Sequence, residues 1–61
     1  MHYFDYRIVK YKDGKIRKIN LYKQGSGIIA IDEEGIKHSI NSSLKINYDI
    51  ARLFQVQVLK K

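Results

Sequence analysis

Arg7, Lys10, Lys12, Lys15, Arg17, Lys18 and Lys23 lie in one short stretch whose only acid is Asp13, and this stretch carries the whole net charge of +6. Elsewhere five basic and five acidic groups cancel. Tyr3, Tyr11 and Tyr22 interleave with the cations. Ammonium and guanidinium groups neutralise phosphates and release counterions. Tyrosine rings offer flat faces on which unpaired bases stack. A two-stranded ribbon also fits the DNA major groove. These ten residues form the candidate nucleic-acid-binding set, with DNA and RNA both open. The plainer alternative is that the cations solubilise a small sheet while the tyrosines fill a second core layer. Charge alone speaks to attraction, not specificity.

Other chemistry is sparse. Gln24-Gly25-Ser26-Gly27 precedes a strand-like run, whereas phosphate cradles lead into a helix N-terminus, so it reads as a turn. Asn41-Ser42-Ser43 matches a glycosylation sequon without a secretory signal to make it relevant. Asp32-Glu33-Glu34-Gly35 has the composition of a solvated hairpin turn. His38 reads as a half-buried strand residue beside Ile29. The chain has no cysteine and two histidines, which excludes disulfides and thiolate metal sites. No serine or lysine has an activating partner at motif spacing. Ligand pockets usually occupy about 300 Å³ or more, a large volume for so short a chain. Neither an enzyme nor a cofactor is expected.

The elements that must position the ten residues are strands. Turn signals at Asp13-Gly14, Gly25-Ser26-Gly27, Gly35 and Asn41-Ser42-Ser43 recur at roughly the eight-to-twelve-residue spacing of a small all-β domain. Strands are expected over 3–11, 16–23, 28–32 and 36–40. With Asp13-Gly14 as a two-residue type I′ turn, Ile8 opposes Ile19 and Tyr6 opposes Leu21, with Phe4 next on that core face. The opposite face then shows Tyr3, Arg7, Val9 and Tyr11 beside Ile16, Lys18, Asn20 and Tyr22. A three-residue loop would set Ile8 against Lys18, which disfavours it. In the second hairpin, a four-residue loop pairs Ile31 with Ile36 and Ile29 with His38. It buries Ile29, Ile31, Ile36 and Ile40 and leaves Ala30 and Lys37 outside. A three-residue loop with Gly35 left-handed is the competing register.

Ile50, Leu53, Phe54, Gln57 and Val58 follow helical spacing, with Lys60 and Lys61 suited to a helix C-terminus. Against that, the run from Phe54 to Val58 alternates like a strand. A short helical turn around 48–52 followed by a closing strand at 53–59 is expected. The fold class is therefore all-β and mainly antiparallel: one domain, 1–61, as a five-stranded SH3-like barrel with a short helical turn before the last strand. The alternative is a four-stranded antiparallel sheet with a C-terminal helix. A chain of 61 residues buries only about 60% of its unfolded surface, so a monomer and a homodimer are both open. No signal-peptide or membrane-spanning run appears, which points to the cytoplasm and away from a membrane partner.

The composition and spacing thus favour a nucleic-acid-binding module contacting through the basic hairpin. A protein-interaction module, such as a small viral or phage-type regulator docked on an acidic protein surface, would use the same face. A self-assembling structural subunit is the third reading, weakened by the repulsion of like charges across a symmetric interface.

Overall fold

The structure, a computed structural model, describes residues 1–41 and 43–60. Its elements are β1 (His2–Lys10), β2 (Ile16–Gln24), β3 (Gly27–Ile31), β4 (Lys37–Ile40), a 3₁₀ turn (Ser43–Lys45), α1 (Ile46–Phe54) and β5 (Gln57–Lys60). Strands β1 to β4 form an antiparallel meander, and β5 returns beside β1, giving the order β4-β3-β2-β1-β5. The sheet curls into a half-barrel, and α1 touches both edge strands and fills the open side. The fold is the expected all-β class, with the last strand following a helical segment. Of the expected turns, the one at Asn41-Ser42-Ser43 includes Ser42, which lies outside the described residues, as does Lys61.

Both outer hairpins close with the same loop. The Tyr11 N–H donates to Lys15 O and the Gly14 N–H to Tyr11 O, each at 2.9 Å. The Asp32 N–H donates to Ile36 O at 3.0 Å and the Gly35 N–H to Asp32 O at 3.1 Å. Each is a three-residue loop ending in a glycine of positive φ, +90° at Gly14 and +88° at Gly35. Asp13 Oδ1 accepts from the Lys15 N–H, and Asp32 Oδ1 accepts from the amides of Glu34 and Ile36. The middle connection is shorter. Gln24 pairs with Gly27, and Gly25 takes the positive φ of a type II′ turn.

This loop geometry overturns the two-residue register of the first hairpin. Ile8 opposes Lys18, Tyr6 opposes Asn20 and Arg7 opposes Ile19. A type I′ turn needs positive φ at Asp13 as well as Gly14, whereas the observed loop needs it at the glycine alone. One residue of slip exchanges the faces of β1. Val9 enters the core, while Phe4 and Tyr6, assigned to it from the sequence, are exposed. The second hairpin likewise takes the competing register, with Ile28 opposite Ile40 and Ala30 opposite His38. Ile28, Ala30 and Ile40 are buried, Ile29 and Ile31 are half-buried and Ile36 is exposed.

The core joins Val9, Ile19, Leu21, Ile28, Ala30 and Ile40 from the sheet to Ile46, Ile50 and Val56. Ile46, Ile50 and Phe54 recur every fourth residue and put one face of α1 on the sheet. The helix is longer than the expected turn at 48–52 and includes Leu53 and Phe54, so β5 begins at Gln57. Gln55 ends it in the left-handed region (φ 57°), and the Val56 N–H bonds Ala51 O at 3.2 Å. The alternation from Phe54 to Val58 thus straddles a helix cap.

Candidate nucleic-acid interface

With the concave side filled, no element among the described residues covers the outer face of the sheet. Strand pairing arranges its side chains in rows. Tyr3, Tyr22, Ile29 and Ser39 form one row, and Tyr6, Asn20, Ile31 and Lys37 the next. Ile8 and Lys18, then Lys10 and Ile16, continue toward the first loop. Among the described strand residues, none on this face is acidic. Asp5 pairs with Leu21 on the core side, and Glu33 reaches only the border, accepting from the Lys18 backbone N–H at 3.2 Å.

A β-bulge builds the aromatic end. The register shifts between Tyr3 and Asp5, with Phe4 as the extra residue. Strict alternation would put Tyr3 on the core side with Asp5, Arg7 and Val9. The bulge turns it outward against Tyr22, with ring centroids 5.8 Å apart at 72°. Tyr3 is 53% exposed and Tyr6 38%. The Lys18 ammonium lies 5.4 Å from the Tyr6 ring centroid, a cation–π pair that keeps a positive charge beside an aromatic surface. Asn20 sits centrally, opposite Tyr6 and Ile31, and its Oδ1 is buried without a hydrogen-bond partner. Buried amide oxygens are normally paired, so this acceptor is a local cost within the face.

Of the ten residues singled out from the sequence, Tyr3, Tyr22, Lys10 and Lys18 meet on this face. Lys12 and Lys15 are exposed around the first loop, with the Lys12 ammonium 3.3 Å from Gln55 Oε1. Lys23 is at the far end, its ammonium 5.6 Å from the Phe4 ring centroid. Arg7, Tyr11 and Arg17 occupy the helix side. The Arg7 guanidinium bonds Asp5 Oδ2 (3.0 Å), Tyr6 O (2.8 Å) and Asn47 Oδ1 (2.6 Å), clamping β1 to α1. Arg17 pairs with Glu33 at 3.4 Å. The Tyr11 hydroxyl donates to Asp32 Oδ2 at 3.3 Å, and its phenol is raised from 10.0 to about 12, first by burial and then by the Asp32 carboxylate. The acidic turn therefore docks against the loop end of the basic hairpin.

Among the tyrosines and lysines that form the candidate site on this face, sequence reasoning missed two, and it also placed the face's Ile8, Ile29 and Ile31 in the core. Tyr6 was assigned to the core, and Lys37, although placed outside, was not joined to the site. The signal for Tyr6 was the loop length, since the three-residue alternative turns it outward. His38 is half-buried, but its ring packs edge-on against Phe54 with centroids 4.7 Å apart, rather than beside Ile29. Among the described residues, no helix is long and apolar enough to cross a membrane, and no group of three His, Asp or Glu could hold a metal ion. No protein-family model, curated protein or solved structure matches this chain.

Proposed function

We propose that this chain binds nucleic acid through the outer face of its sheet. The observation that carries the proposal is the composition of that face: Tyr3, Tyr6 and Tyr22 beside Lys10, Lys18 and Lys37, with no acidic side chain among its described strand residues. The basic hairpin expected from the sequence contributes its outward half, together with Lys12 and Lys15 at the loop. Its arginines are engaged within the fold instead, Arg7 with Asp5 and Asn47 and Arg17 with Glu33.

The test is fluorescence anisotropy with labelled oligonucleotides across a salt series. Wild-type affinity should fall log-linearly with salt, and the triple variant Lys10→Gln, Lys18→Gln, Lys37→Gln should flatten that slope by about 2, at about 0.7 per phosphate lost from a single strand. An unchanged slope in the triple variant, or no binding by wild type at low salt, overturns the proposal.

A second reading is supported by Ile16, 55% exposed, together with Ile8, Ile29 and Ile31 on the same face. Aliphatic side chains seat a protein surface better than a base. An acidic protein partner would dock here with its carboxylates near Lys10, Lys18 and Lys37. A silent oligonucleotide series with a defined protein captured from the source cell, and released by Ile16→Glu, would favour this reading.

A further inference from the structure

We infer that the face takes single-stranded nucleic acid, with unpaired bases stacked on Tyr3, Tyr6 and Tyr22, rather than a duplex; this rests on the nucleic-acid reading above. The size of the face favours a single strand. Five strands at about 4.8 Å spacing make a face roughly 19 Å wide, against a major groove about 12 Å wide. Such a face lies across a duplex and meets only phosphates and sugars. Its tyrosines are set inside the sheet, on β1 and β2, where a paired base cannot reach them.

The face also lacks the groups that read a duplex. Bidentate arginine is the commonest reader of guanine in the major groove. All three arginines of the chain are instead in carboxylate pairs: Arg7 with Asp5, Arg17 with Glu33 and Arg52 with Asp49. The cations left on the face are lysines, which act on phosphate as point charges without base preference.

The layout of the rings suits successive unpaired bases. The tyrosines occupy two successive rows about 7 Å apart, two strand residues' rise. Tyr3 and Tyr22 meet edge to face, and the Lys18 ammonium lies over Tyr6. A base stacking on Tyr6 would displace the Lys18 ammonium from the ring and leave it for that base's phosphate, and the strand would run on toward Lys10. The Phe4 bulge has a purpose in this scheme, because only the displaced register adds Tyr3 to the platform. The Asn20 carboxamide, whose Oδ1 has no hydrogen-bond partner, lies between the two aromatic positions, where rotation of its side chain would offer hydrogen bonds to a base edge.

The experiment uses the full chain and four probes of equal phosphate number: a thymidylate oligomer, a uridylate oligomer, an abasic oligomer and a DNA duplex. Either base-bearing single strand should bind at least several-fold more tightly than the abasic strand and the duplex, and the preferred sugar names the source as DNA or RNA. Tyr6→Ala should weaken single-strand binding about 5- to 150-fold, the equivalent of 1–3 kcal/mol per stacked base, while Tyr6→Phe retains it. Unchanged amide NMR dispersion in both variants separates this loss from unfolding. Equal affinity for abasic, duplex and single strands would overturn the stacking inference and leave the nucleic-acid reading standing on phosphates alone. No binding to any probe at low salt overturns both and directs the face to a protein.

Discussion

Tyr11 and Tyr22 both sit among lysines in sequence, yet they do opposite things. Tyr22 lies on the uncovered face, whereas Tyr11 packs against the core and ties the first loop to Asp32. Burial and the neighbouring carboxylate raise the Tyr11 phenol to about 12, so the folded chain holds that proton more tightly than the unfolded chain, near 10.0. The resulting stabilisation is complete below pH 10 and is lost as the pH rises toward 12. Tyr11→Phe, lacking the ionisable group, should show a flatter loss of stability over that interval, measured by urea unfolding at stepped pH. Parallel wild-type and variant curves would refute the coupling. That Tyr11 faces inward was not legible from the sequence, because its face depends on the parity set by the loop after it.

Loops decide the faces at the scale of elements. Asp13-Gly14 was correctly read as a hairpin turn, but glycine is wanted both in a two-residue type I′ turn and at the end of the three-residue loop. Those choices differ by one residue of register, and the packing of Val9 goes with the second. Gly35 closes the other hairpin in the same way. An added Cβ there would meet nothing within 4 Å, so its cost is conformational alone. Gly35→Ala should destabilise the domain by about 1–2 kcal/mol, the penalty of an L-residue in left-handed backbone. Gly27 has no positive φ, and its Cβ would meet only Gln24 O at 3.6 Å, an ordinary contact. Gly27→Ala should therefore be nearly neutral. Equal urea midpoints for the two variants would refute this account of the loop.

Stability is narrow for the molecule as a whole. A domain of 61 residues has roughly 3–9 kcal/mol to lose, by the per-residue range of native proteins. Ile50 is fully buried at the centre of the contact between α1 and the sheet. Ile50→Ala should cost about 2–5 kcal/mol, a large share of that margin. Chemical denaturation followed by circular dichroism would show it as a large fall in the urea midpoint. A shift within error of wild type would mean that α1 is not what completes the core.

Composition and local pattern determined that this chain is a small all-β domain with its positive charge gathered on one hairpin. Turn residues and alternation are local signals, and a sum of charges does not depend on fold. The strand boundaries of β1 and β2 were legible for the same reason. Which residues share a face was decided only by tertiary structure. One residue of register exchanges the two faces of a strand, and a single bulge at Phe4 exchanges them again for Tyr3. Packing of Val9 against the sheet and α1, the bond from Arg7 to Asn47 on α1 and the pairing of Arg17 with Glu33 arise between segments distant in sequence. They separate a basic stretch into a structural half and an uncovered half, a division that no local pattern encodes.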